Sequence, residues 1–242
     1  MATKATSRAA APKKFTSWSF SRYMDYKGCP AKAKYKHLDK LAEPPNDAMA
    51  RGSMIHEKAE DYTLGRITRL PAELKLFKDE FKMLKGQKIK VVEENWAWTQ
   101  NFAAETAWDN WTGAWVRIKL DAAYVDIDRN MLVPIDHKTG KCRPQKQAEY
   151  EEQLQLYGLA GLLRFPDVDA VAPRLWYLDE GVTWPDEAAD EVVYQRKEVE
   201  KLKKIWIKNV TPMFNDTSFK PKPGDACRFC HYKAANGGPC KF

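Results

Sequence analysis

Asp121 closes the run Val116-Arg117-Ile118-Lys119-Leu120-Asp121, and a second run, Ile135-Asp136-His137-Lys138-Thr139-Gly140, follows after a turn. Residues two apart on a strand share a face, so Asp136 and Lys138 point one way and Ile135 and His137 the other. By the same alternation, Arg117, Lys119 and Asp121 share one face of the preceding strand. Pairing of the two strands across Asp128-Arg129-Asn130 brings Asp121 beside Asp136. Neighbouring carboxylates repel unless a cation lies between them. Magnesium fits, because it takes a few carboxylate oxygens and keeps waters and a phosphate in its octahedron. A lysine beside such an ion can orient or help deprotonate an attacking water and stabilise charge on a phosphate. An isolated Asp-x-Lys is most often a solvent-facing hairpin; Asp121, the turn and Thr139-Gly140 weigh toward chemistry.

Other residues gain meaning beside this centre. Gln153 and Tyr157 lie four apart, on one face of a helix predicted over 147–163. Alone they read as surface or packing residues; together with a phosphate they can contact it, a sugar or the lysine. His56 alone reads as a helix histidine paired with Glu60 one turn on. Glu57 and Glu60, and Glu93 or Glu94, are lesser candidates for a metal. The chain has five cysteines, three of them in the last sixteen residues as Cys227-x-x-Cys230 and Cys240. A Cys-x-x-Cys pair reaches one metal or cluster corner with little strain. A fourth ligand must come from Cys29 or Cys142, unless His231 completes a mixed zinc site. Cys-x-x-Cys-His also matches a haem attachment site formally, but no export signal accompanies it.

The predicted elements are those such a centre needs. A helix capped by Ser17 or Ser19 ends at Cys29-Pro30, and Glu43-Pro44-Pro45 is a break with Asp47 as cap of a helix over 48–64. Another helix opens at Pro71 and runs to 84. Strands follow over 89–98, 114–128 and 131–138, then the helix over 147–163, a strand over 174–178 and a long helix over 187–209. This order implies an α/β chain with one central mixed sheet flanked by helices. The excess of 40 Lys and Arg over 33 Asp and Glu, +7 in all, suits a polyanionic partner without requiring one. No apolar run is long enough to span a membrane, and Met1 to Lys14 reads as a basic arm rather than a secretory signal. Trp108 and Trp111, among Asp, Asn, Thr and Gly, are candidates to stack on bases, whereas Trp96 and Trp98 read as packing residues. Lys141 and Arg143, just past the lysine, are candidates to track phosphates.

The set Ser17-x-Ser19, Cys29-Pro30, Gly52-x-x-x-His56, Asp121, Asp136-x-Lys138 and Gln153-x-x-x-Tyr157 resembles the PD-(D/E)xK nuclease superfamily, specifically its RecB-type exonuclease branch. The resemblance implies a restriction-endonuclease-like core over 47–180 within a single nuclease domain over 16–242, preceded by the arm over 1–15. Segments 16–46 and 187–242 would join the two ends of the chain at a metal cluster. It implies Mg²⁺ or Mn²⁺ on His56, Asp121 and Asp136, with Lys138, Gln153 and Tyr157 completing the reacting centre. A subset of the branch holds a 4Fe–4S cluster on one N-terminal and three C-terminal cysteines, here Cys29, Cys227, Cys230 and Cys240, with zinc as the alternative. The gap before Cys240 is longer than that subset's commonest spacing. The implied activity is DNA exonuclease, in the cytoplasm of a bacterium or phage-infected host, with DNA and a recombination or replication protein as partners. Alternatives are a CRISPR-adaptation-type exonuclease and a catalytically silent DNA-binding or assembly protein of the same fold.

Overall fold

Ser19 starts the first helix, α1 (Phe20–Gly28), by accepting the Arg22 N–H on its hydroxyl, and the chain turns at Cys29 because Pro30 must begin a new helix. That helix, α2 (Pro30–Ala33), widens into a π-helical turn over Lys34–Leu38. The computed structural model describes residues 13–186 and 191–242, so most of the expected arm, and residues 187–190 of the expected long helix, lie outside the described residues. Phe15, at the end of that arm, is buried and packs edge-on against Phe219, so it is part of the packed structure.

The chain divides into two units, one of Pro45–Asn209 and one of 13–44 with Val210–Phe242. In the smaller unit, Tyr26 donates to Asp216 at 3.0 Å, Tyr35 packs on Tyr232 at 5.6 Å and Tyr232 donates to Leu41 O at 3.3 Å. Residues from both ends of the chain thus build one structure.

The larger unit opens with α3 (Asp47–Thr63). Its cap is Asn46, not the expected Asp47: the Asn46 side chain accepts the N–H groups of Ala48 and Met49, and Asp47 lies in the first turn, where a carboxylate favours the helix dipole. The helix expected from Pro71 is two pieces, a 3₁₀ segment Ala72–Phe77 and α4 (Lys78–Gly86). Strands β1 (Lys90–Trp98), β2 (Val116–Asp126) and β3 (Met131–Lys138) form an antiparallel meander. After α5 (Gln147–Arg164) come β4 (Ala170–Val171) and β5 (Arg174–Tyr177), both parallel to β3. The short strands β6 (Val182–Trp184) and β7 (Tyr194–Gln195) complete a seven-stranded mixed sheet. The last helix, α6 (Val199–Asn215), begins later than the sequence suggests. Arg196 explains the delay: its guanidinium donates to the carbonyls of Leu162, Phe165 and Val168, which fixes the segment before α6 to the end of α5.

Alternation along β3 divides the layers. Met131, Val133 and Ile135 enter a core with Ile55, Ala59 and Tyr62 of α3, Phe81 and Leu84 of α4, and Trp176. Asp136 faces the other way and meets Gln153 and Tyr157 of α5. The β2–β3 ladder ends at Ala122↔Ile135, and beyond that pair β3 continues beside β5 alone. The candidate site fills the place where these strands part.

Candidate active site

Three carboxylates stand at one level of three neighbouring strands. The β1–β2 register runs from Lys90↔Tyr124 to Trp98↔Val116 but skips Glu93 opposite Asp121, and continuing the β2–β3 register sets Asp121 opposite Asp136. Glu93 adopts φ 50°, a left-handed backbone that a side chain as large as glutamate adopts only at a cost.

Asp121 is buried and holds two partners: Oδ1 lies 3.2 Å from His56 Nδ1, and Oδ2 accepts the His137 N–H at 2.8 Å. Burial would raise its pKa, but the hydrogen bond from His56 and the neighbouring imidazoles hold it below the ordinary value. His56 also reaches Glu93 Oε1 at 3.6 Å and, through Nε2, the His137 carbonyl at 3.0 Å. Burial pulls the His56 pKa down, yet Asp121 and Glu93 lift it to about 10. Its partners are therefore these two carboxylates; Glu60, the neighbour His56 would have if read alone, pairs with Arg66 instead.

Asp136 sits on the opposite side of the same centre. Its Oδ1 accepts Tyr157 OH at 2.7 Å and Gln153 Nε2 at 2.9 Å, while Oδ2 lies 2.6 Å from Lys138 Nζ. Burial lowers the Lys138 pKa, but the charge of Asp136 outweighs it and the ammonium is favoured. Tyr157 is pushed well above its ordinary value by burial and by Asp136, which fixes it as a hydrogen-bond donor.

His137 turns its ring toward Phe81, Trp176 and His56, as strand alternation predicts, with both ring nitrogens buried and without a hydrogen-bond partner. Its direction is nonetheless toward the centre: His56, Asp121 and His137 bring one ligand atom each within 4.8 Å of one another. Glu93 and His137 are the residues that sequence reasoning ranked low or set aside. For Glu93 the missing signal was a backbone twist that composition does not encode; for His137 it was that His56 approaches from the side opposite Asp136.

Close approach of α3 places His56. A Cβ on Gly52 would lie 3.2 Å from Thr139 Oγ1, so glycine lets the helix rest against the turn after β3. Arg51 anchors the same turn of helix through paired bonds to Asp179, at 2.9 and 2.7 Å. Lys141 and Arg143 lie exposed in the loop after β3, where the Arg143 N–H donates to Tyr150 OH at 3.0 Å. Trp108 is half-buried and Trp111 exposed, both in the β1–β2 loop.

The donors gathered here are carboxylate oxygens, a carbonyl and imidazole nitrogens, a set able to hold a divalent cation. A family model described as "PD-(D/E)XK nuclease superfamily" matches residues 17–235. The chain belongs to this superfamily. The mixed sheet flanked by helices is its restriction-endonuclease-like fold. No curated protein matches the chain. Among solved structures it is similar to the "Putative exonuclease" from Eubacterium rectale, at 14% identity and TM-score 0.46 over 88% of each chain. Among the described residues, no helix is long and apolar enough to cross a membrane.

Proposed function

We propose that the protein is a Mg²⁺- or Mn²⁺-dependent DNA exonuclease of the RecB-type branch, acting on DNA ends in recombination, repair or phage replication in the bacterial cytoplasm. The convergence of His56, Asp121, Asp136 and Lys138 on one buried corner of the sheet carries this reading. His56, Asp121 and Asp136 would hold the cation, with the His137 carbonyl and Glu93 within reach of it. A cation held there lowers the pKa of a bound water and offsets charge on the phosphate. Lys138 supplies an ammonium beside it that donates to the scissile phosphate. Gln153 and Tyr157 fix Asp136 by two hydrogen bonds, so its other oxygen, beside Lys138, stays aimed into the centre. Exposed Lys141 and Arg143 contact the backbone of the bound strand.

The complete set of charged residues disfavours a silent binding protein. End-labelled single- and double-stranded DNA, incubated with Mg²⁺ or Mn²⁺, tests the reading. Progressive loss of terminal nucleotides is expected; cleavage equal to wild type by Asp121→Ala and Lys138→Ala would sink the site.

A 4Fe–4S cluster on Cys29, Cys227, Cys230 and Cys240 belongs to the same proposal. The four thiols lie in one unit, all half-exposed and none in a disulfide. Cys29 Sγ accepts the Lys222 N–H at 3.4 Å, so the N-terminal cysteine already touches the C-terminal segment. Burial raises the Tyr35 pKa, and Cys240 and Cys29 lie close enough to add to it. A cluster would staple the ends of the chain together. Iron and labile sulfide in anaerobically purified brown protein support it, and colourless protein carrying zinc would replace it with the zinc site.

A further inference from the structure

Trp111 is 73% exposed, whereas Trp96, Trp98 and Trp115 nearby are buried. The loop that carries it is tightly built. Thr106 N–H donates to Ala97 O and Trp115 N–H to Trp98 O, while Phe102 and Trp115 pack edge-on at 5.4 Å beneath it. Asn110 ties the tip, accepting the Gly113 N–H and donating to Thr106 Oγ1, each at 2.9 Å. A Cβ on Gly113 would come 2.4 Å from the Asn110 amide, so glycine leaves that side chain room to tie the turn. Arg117 completes the mount: it donates to Trp108 O at 2.9 Å and Asn110 O at 3.2 Å, and its guanidinium lies 4.7 Å over the Trp111 ring. An exposed indole backed by a cation and held on a hydrogen-bonded loop costs little further ordering to use.

The mount is continuous with the centre. Arg117 and Lys119 pair with Ala97 and Asn95 in an unbroken stretch of ladder, so they share a face. Lys119 Nζ lies 2.7 Å from Glu93 Oε2, whose other oxygen faces His56. Four strand steps carry the chain from Arg117 to Asp121, about 13 Å, the rise of about four nucleotides. Lys119 is 57% exposed, and an ammonium has three donors, so Glu93 leaves it free to meet a phosphate.

We propose that Trp111, backed by Arg117, is a stacking platform that grips a base of the substrate strand within about four nucleotides of the cleaved phosphate, with Lys119 on the intervening backbone. An indole face reaches a base only where that base is unpaired or terminal, so the substrate class is DNA with a single-stranded or frayed end. The inference rests on the nuclease reading above.

The test uses the full chain carrying Asp136→Asn, which keeps the DNA intact, and single-stranded oligonucleotides with a fluorescent adenine analogue walked inward from the end. Quenching confined to positions within about four nucleotides of the bound end is expected, lost in Trp111→Ala and largely restored in Trp111→Phe. In the otherwise wild-type enzyme, Trp111→Ala raises KM for single-stranded DNA about tenfold and leaves kcat within about twofold. Unchanged quenching and KM in Trp111→Ala, with the wild type cutting DNA, overturns the platform and leaves the nuclease standing. A wild-type protein that neither cuts nor binds DNA overturns both.

Discussion

Asp136 shows how a side chain is prepared for a metal: one oxygen is occupied by Tyr157 and Gln153, and the other faces Lys138 and the centre. Tyr157→Phe removes the 2.7 Å bond but keeps the ring, so a loss of about tenfold in kcat with an unchanged melting temperature is expected. Asp121→Ala and Lys138→Ala are more severe; each should cost about a thousandfold or more in cleavage while DNA retention on a filter persists. Strand and helix periods put Asp136 with Lys138, and Gln153 with Tyr157, on shared faces without knowledge of anything distant, while their role beside one another came only from the family resemblance. Glu93 was not legible, since its place depends on a positive φ. Spacing alone could not pair His56 with Asp121, since that depends on α3 lying against β2 and the turn after β3; only the family resemblance grouped them.

Elements position these groups, and their faults should appear as misplacement rather than collapse. Gly52→Val pushes α3 off Thr139 and carries His56 with it, so cleavage falls far more than thermal stability, compared by DNA assay and thermal unfolding of the same samples. Asn46→Ala removes a cap from the same helix at a cost of about 1 kcal/mol, a drop of about 2–4 °C in Tm, with activity nearly kept. The meander β1–β2–β3 and the helix α5 were readable because each alternates or repeats over eight residues or more. The two-residue strands β4 and β7 carry no period to read. The start of α6 was misjudged because Arg196 binds three carbonyls of a distant segment, which no local propensity anticipates.

At the scale of the whole molecule, stability and chemistry pull apart. In the smaller unit, Asp25 is partly buried, which would raise its pKa, but His37, Lys32 and Lys36 hold it well below the usual carboxylate range. A depressed folded pKa means this stabilisation is complete above the unfolded value, about 3.9, and is lost as pH falls through the folded value. Asp25→Asn is therefore expected to be about 1.5–3 kcal/mol less stable at pH 7, with the gap to wild type closing below about pH 4 in acid-unfolding curves. Glu93 combines both signs. Its φ of 50° places a carboxylate beside Asp121 at the expense of backbone ease. Burial and Asp121 would raise its pKa, but His56 and Lys119 outweigh them and hold it below the ordinary value. The pair with exposed Lys119 is screened by solvent, so Glu93→Gly is expected to gain more from the relieved twist than it loses in ion pairs. A library of this chain selected only for survival at high temperature should then enrich substitutions at Glu93, and loss of cutting among those survivors would place Glu93 in the reacting centre. Heat resistance becomes a way to nominate residues of the reacting centre before the protein is offered any DNA.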